Sequence, residues 1–137
     1  MVHTLKIRMY YEDTDCGGVV YYANYLRYVE RARTEFLESK GVGLKKLMAE
    51  GVYFVVAEAA LKYFSPGRYG DILVIETTVG RVGPASIVFS HTIRRDLTNE
   101  KLVEATVKLG CVGRDMKPQR LRKNILEAVK EGDGPHE

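Results

Sequence analysis

Between Tyr53 and Arg114 the chain carries four long segments of period-two alternation, and the turns between them are too short to hold a helix. The segments run from Tyr53 to Phe64, Ile72 to Val82, Ser86 to Arg95 and Lys101 to Arg114. The breaks are Ser65-Pro66-Gly67-Arg68-Tyr69-Gly70-Asp71, Gly83-Pro84 and Asp96-Leu97-Thr98-Asn99, turn-forming by composition. Successive strands joined this tightly pair antiparallel, because a parallel return needs a crossover of a dozen residues or more. Several segments exceed the usual strand length of about six residues, which predicts a strongly curved sheet. In the first segment Tyr53, Val55, Ala57, Ala59, Leu61 and Tyr63 read as one apolar face, and Glu58 interrupts the other.

What precedes this block decides how the sheet is covered. Thr4 to Tyr11 alternates like a half-buried strand. After a glycine-containing loop, Tyr25, Leu26, Val29, Ala32, Phe36 and Leu37 recur at helical spacing, opposed by Arg27, Glu30, Arg31, Thr34, Glu35 and Glu38, with Gly41 as the stop. Arg31 and Glu35 stand four apart and read as a surface pair. This helix is about 25 Å long, enough to cross several strands. Leu44 to Glu50 reads as a short connecting helix between glycines. Leu121, Ile125, Leu126 and Val129 predict a last helix after Pro118, and 131–137 reads as a frayed tail. The expected class is α+β: a curved antiparallel sheet of about five strands wrapped around one long central helix. The helix covers one face only, so the other predicts a homo-oligomer.

At 137 residues the chain is expected to form one domain, 1–137, with a single core. Its formal charge of +3 is interspersed and contains no basic run, which argues against a nucleic-acid partner. No stretch approaches the roughly 18 apolar residues of a membrane span, and Met1 to Arg8 lacks a signal-peptide core, so a cytoplasmic protein with no stable membrane insertion is expected. Cys16 and Cys111 form no C-x-x-C pair and are read as reduced thiols.

The stretch from Tyr10 to Leu26 holds the chemistry: two acids, Asp13 and Asp15, then the pair Gly17-Gly18, then an apolar run into the long helix. The first amides of a helix have no partner within it and carry the positive end of its dipole, so a carboxylate here stands beside an anion site. That combination suits acyl transfer, in which a base or nucleophile attacks a carbonyl and backbone donors hold the developing oxyanion. Gly17 and Gly18 let the backbone approach a substrate, and amides near Tyr22 are the candidate donors. Either acid also reads as a turn or capping residue. Cys16 has no histidine near it in sequence to activate it, since His3, His91 and His136 are remote. Two acids on one loop make a poor ligand set, and neither metal nor cofactor is expected.

The run from Tyr11-Glu12-Asp13-Thr14-Asp15 through Gly17-Gly18-Val19-Val20-Tyr21 to Asn24-Tyr25 and Glu30-Arg31-Ala32-Arg33-Thr34-Glu35 resembles the 4-hydroxybenzoyl-CoA thioesterase family, in its YbgC-type acyl-CoA thioesterase branch. Tyr63, Ser65-Pro66 and Tyr69-Gly70-Asp71 extend the likeness over nearly the whole chain. The resemblance implies a hotdog fold, oligomers built from hotdog dimers up to a homotetramer, and hydrolysis of an acyl-CoA to free acid and CoA. It places the catalytic acid on Asp15 and leaves Asp13 structural. Many members of the branch carry a histidine where this chain has Tyr22, so no imidazole is available at that position.

The substrate-binding set expected around Asp15 is Gly17, Gly18, Tyr21 and Asn24, with the Tyr22 backbone amide catalytic. Arg68 and Arg81 are candidate cations for CoA phosphates by their loop and strand-end positions, as are Arg94, Arg95, Lys117 and Arg120. A second function class stays open, a non-catalytic hotdog module that binds acyl thioesters as a sensor. A hotdog dehydratase is disfavoured because its chemistry wants a histidine in this stretch. A pure binder has no need of an acid at residue 15.

Overall fold

The computed structural model describes residues 2–133. Residues 134–137, part of the expected tail and including His136, lie outside the described residues. Five strands form one antiparallel sheet in the order β1-β3-β4-β5-β2. They are β1 (His3–Arg8), β2 (Tyr53–Tyr63), β3 (Ile72–Val82), β4 (Ser86–Arg95) and β5 (Lys101–Val112). Three helices accompany them, α1 (Asn24–Ser39), α2 (Leu44–Ala49) and α3 (Lys123–Asp133). This is the α+β hotdog arrangement.

Alternation sorts the sheet into an inner and an outer face. Leu73, Ile75, Thr77 and Val79 of β3, Ile87, Phe89, His91 and Ile93 of β4, and Val103, Ala105, Val107 and Leu109 of β5 are buried. Their neighbours Glu76, Thr78, Thr92, Glu104, Thr106 and Lys108 are half-buried or exposed. α1 contributes Tyr25, Val29, Ala32, Phe36 and Leu37 to the core, and α3 adds Ile125, Ala128 and Val129 to the same cluster. α1 stops at Gly41, whose φ of 83° lets Val42 N–H return to the Leu37 carbonyl at 2.8 Å.

Three expectations change in the strands. β1 ends at Arg8 rather than Tyr11, because Asp13 captures the Tyr10 N–H with its carboxylate and Tyr11–Asp13 turn into a single 3₁₀ turn. β5 ends at Val112, two residues short of Arg114, where Met116 N–H closes a turn on the Gly113 carbonyl. On β2 the pairing with β5 slips between Val56 and Glu58, leaving Ala57 as an extra residue. Beyond the slip the faces exchange. Phe54 and Val56, opposite Cys111 and Leu109, therefore share the inner face with Ala59, Leu61 and Tyr63, while Glu58 stands opposite Lys108 on the outer one.

On α1 the apolar stripe is wider than the spacing predicts, with Tyr28 and Arg33 buried and Leu26 left 42% exposed. Arg31 lies over the Tyr28 ring, 5.9 Å from its centroid, instead of forming the expected surface pair with Glu35.

Candidate active site

The loop between β1 and α1 is a small hairpin stitched to itself. Asp15 N–H donates to the Val19 carbonyl at 2.9 Å, Gly18 N–H to the Asp15 carbonyl at 3.1 Å, and Thr14 bridges Val20. Gly18 takes φ 78°, a conformation that favours glycine. The loop is then tied to the β2–β3 turn, where Val20 N–H donates to Gly67 O at 2.8 Å and Tyr69 N–H to Gly18 O at 3.1 Å. Arg95 closes that turn from behind, donating to Asp71 at 2.9 Å and to the Pro66 carbonyl at 2.7 Å and pairing with Glu100.

The two acids have different surroundings. Asp13 is spent on structure: one carboxylate oxygen accepts the Tyr28 hydroxyl at 2.7 Å, the other the Tyr10 N–H at 2.8 Å. Asp15 is exposed, and its Oδ1 accepts only the Gly17 N–H at 2.9 Å. Its Oδ2 accepts no hydrogen bond among the described residues.

Asp15 lines a cavity of about 390 Å³ with Val20, Tyr22, Tyr25, Tyr63 and Pro66. The Tyr25 ring lies 5.8 Å from that of Tyr63, and its hydroxyl accepts the Gly67 N–H at 3.0 Å. Burial pushes the Tyr25 hydroxyl above its usual range, so it stays a neutral phenol. Tyr22 is 62% exposed, packs edge-on to Tyr63, and its carbonyl accepts the Tyr63 hydroxyl at 3.3 Å.

At the start of α1, Tyr21 N–H donates to the Asp13 carbonyl and Asn24 N–H to the Tyr21 carbonyl. The next amides are open: Tyr22 and Ala23 N–H donate to no group among the described residues. No side chain caps the helix, since Ala23 holds the N-cap position and the Asn24 amide donates to the Asp13 carbonyl at 2.9 Å. Asp15, with a carboxylate oxygen free among the described residues, and Tyr22, with an open amide, thus line one cavity, a residue set able to attack a carbonyl and hold its oxygen.

Of the residues singled out in the sequence, Asp15 and Tyr22 line this cavity, and Gly17 and Gly18 shape the loop beneath it. Tyr21 packs its ring 4.9 Å from Tyr22 at the surface, and Asn24 works as a tie to Asp13. Arg68 is exposed on the turn bridged to Val19. Arg81 instead lines a separate hollow on the outer sheet face with Glu58, Ser86 and Lys108. Arg94 and Arg95 are engaged by Glu76 and by Asp71 and Glu100. His91 is buried on β4 and His3 lies on β1, neither in the cavity lining. Among the described residues no cluster of His, Cys, Asp or Glu is arranged to hold a metal ion.

Nothing in the sequence alone marks Tyr63 or Tyr28 as a site residue. Tyr28 carries only the signal of its spacing, three positions after Tyr25 on the same helix face. Tyr63 joins the cavity only through pairing of the sheet's edge strand, which local sequence does not reveal.

A family model for the Thioesterase superfamily matches residues 17–100. The acyl-CoA thioester hydrolase YbgC of Escherichia coli O6:H1 is 43% identical over 126 residues, covering 91% of this chain and 93% of that protein. The acyl-CoA thioesterase YbgC of Haemophilus influenzae is 41% identical over 127 residues, covering 91% and 92%. Among solved structures, a probable thioesterase from Bartonella henselae superposes with a TM-score of 0.83 at 32% identity, covering 89% of this chain and 100% of that one. A 1,4-dihydroxy-2-naphthoyl-CoA thioesterase from Synechocystis reaches a TM-score of 0.91 at 22% identity over 98% and 100%, a likeness of fold. With this sheet, this loop and these relatives, the chain belongs to the thioesterase superfamily.

Proposed function

We propose that the protein hydrolyses acyl-CoA thioesters to the free acid and CoA, with Asp15 as the attacking group or its base and the amides of Tyr22 and Ala23 as the oxyanion donors. The observation that carries this reading is that one cavity is lined both by Asp15, with a carboxylate oxygen that accepts no hydrogen bond among the described residues, and by Tyr22, whose amide donates none among them, with the open Ala23 amide next in the chain. As base, Asp15 takes a proton from water while the hydroxide adds to the thioester carbon; the tetrahedral oxyanion rests on the amides. Collapse expels the CoA thiolate, which takes the proton from Asp15. As nucleophile, the carboxylate itself adds and the thiolate leaves; water then cleaves the resulting anhydride, giving the free acid, restoring the Asp15 carboxylate and passing its proton to the CoA thiolate. Loss of one oxyanion donor typically costs about a hundredfold or more in turnover. The absence of an imidazole at Tyr22 fits either route, since neither needs a second acid or base.

Several features support the remaining parts of the reading. Arg68, exposed and with its guanidinium unengaged among the described residues, is a phosphate contact for CoA, on the turn two residues after the cavity-lining Pro66 and bridged to Val19. The protein works as a homo-oligomer of hotdog dimers, up to a tetramer. β2 is an edge strand eleven residues long, and the exposure of Val56, Tyr63 and Phe64 leaves an apolar edge that a second copy would cover. No helix among the described residues is long and apolar enough to cross a membrane, in keeping with a cytoplasmic setting. The direct test is release of free thiol from a panel of acetyl-, hexanoyl-, palmitoyl- and benzoyl-CoA. Catalytic turnover of at least one supports the reading, whereas saturable binding with no thiol release would replace it with a sensor.

A further inference from the structure

Asp13 stands two residues before Asp15 and accepts four hydrogen bonds, three of them from beyond the loop. Its carbonyl accepts Tyr21 N–H at 3.0 Å and the Asn24 side-chain amide at 2.9 Å; its carboxylate accepts Tyr10 N–H at 2.8 Å and the Tyr28 hydroxyl at 2.7 Å. Tyr28 is 1% exposed and its hydroxyl has no other hydrogen bond among the described residues, so losing Asp13 would leave a buried polar group unpaired. The loop from Thr14 to Val20 is a longer detour, held by its own hairpin bonds and by its ties to the β2–β3 turn. Across the Asp13 carbonyl, however, the path from Asp15 to the open Tyr22 amide is short. It runs two residues back to Asp13, over one hydrogen bond to Tyr21, and one residue on. By taking the Tyr21 N–H, Asp13 also leaves the amides of Tyr22 and Ala23 as the first uncommitted ones.

We propose that Asp13 is the positioning residue of this site, with Tyr28 as its buried anchor and Asn24 as its second tie. This clamp sets the separation between the Asp15 carboxylate and the open amides. The inference rests on the roles of Asp15 and those amides proposed above. It gives Asn24 and Tyr28 work that touches no substrate: they act through Asp13 on the groups that do. A misplacement of about 1 Å in such a pair costs up to a hundredfold in rate, and loosening one tie of several costs less.

The test uses Tyr28→Phe, which keeps the buried ring and removes the bond, and Asn24→Ala, which removes the second tie without entering the core. Each is assayed on the acyl-CoA that the parent turns over fastest, well below its own melting temperature, with Asp15→Asn alongside. The clamp predicts that each lowers kcat about tenfold with KM within twofold of the parent. The double variant should lose less than the product of the two, because the second cut acts on a clamp already released. A merely structural role would lower the melting temperature and leave kcat of the folded protein unchanged. If both single variants keep kcat within twofold while Asp15→Asn is inactive, the clamp is overturned and the Asp15 chemistry stands. If Asp15→Asn keeps its turnover, the proposed chemistry falls and the clamp with it. Should Tyr28→Phe fail to fold, Asn24→Ala alone decides.

Discussion

His91 makes the stability of this fold depend on acid in a window where carboxylates contribute little. The side chain is 2% exposed on β4, stacked near Phe89, with its Nδ1 paired to the Thr77 hydroxyl at 3.0 Å. Burial, with the Arg33 charge acting in the same direction, pushes it down from the ordinary 6.5 to about 3. The native state therefore keeps His91 neutral while the unfolded chain takes up a proton as pH falls through 6.5. The unfolded state binds more protons, so stability falls with falling pH, and the loss accumulates until the native pKa is reached. Each pH unit below 6.5 costs about 1.4 kcal/mol, and at pH 5.0 the loss is about 2 kcal/mol. The figure at pH 5.0 is insensitive to the native pKa as long as that value lies well below 5. Urea unfolding at fixed protomer concentration, at pH 7.0, 6.0 and 5.0, measures it directly. His91→Gln carries no titrating group, and although it changes packing at every pH, it should flatten this part of the slope. A parent as stable at pH 5.0 as at 7.0, or a glutamine variant with the parent's slope, would refute the reasoning.

Tyr63→Phe removes the hydroxyl that donates to the Tyr22 carbonyl and keeps both ring contacts; kcat should fall severalfold with little change in melting temperature, and a parent-like kcat rules out that contact as a restraint. If Arg68 meets a CoA phosphate, KM should rise with added salt, since exposed charges are screened over about 10 Å at 0.1 M, and Arg68→Ala should raise KM and weaken that dependence. A salt-indifferent KM in both proteins removes Arg68 from the site. Sedimentation at micromolar concentration should find an oligomer and no active monomer, given the exposed apolar edge of β2.

Much of the architecture was legible because it rests on local periodicity. The alternation of β3 and β4 and the helical spacing of α1 follow from which side of each element meets the core. What escaped was set by contacts distant in sequence. The extra residue at Ala57 of β2 becomes visible only when the strand is laid against β5, and it reverses the expected face. Arg33 is charged and buried, against the polar reading that a guanidinium on a helix invites. The loop could be recognised as the place for chemistry from its acids, its glycines and the helix behind it. The family resemblance already set the two acids apart, but the different hydrogen bonding of Asp13 and Asp15 could not be read from the residues alone, because it depends on where the Tyr28 hydroxyl and the Asn24 amide arrive from α1. Arg81 is the converse case. A strand-end position suggested a phosphate contact, but Arg81 falls where the pairing of β3 with β4 slips between Val79 and Val82, and it lines a hollow on the outer face.

The central claim is that Asp15 performs the reaction, and Asp15→Asn tests it with the smallest change in shape. The amide preserves size and retains an oxygen able to accept the Gly17 N–H, so the loop should keep its form. An amide is neither a useful base nor a competent nucleophile at neutral pH. Measured as thiol release from the acyl-CoA that the parent turns over fastest, with fold and oligomeric state checked on the same sample, kcat should fall at least about a hundredfold. Turnover within a few-fold of the parent in a correctly folded Asp15→Asn protein would contradict the account.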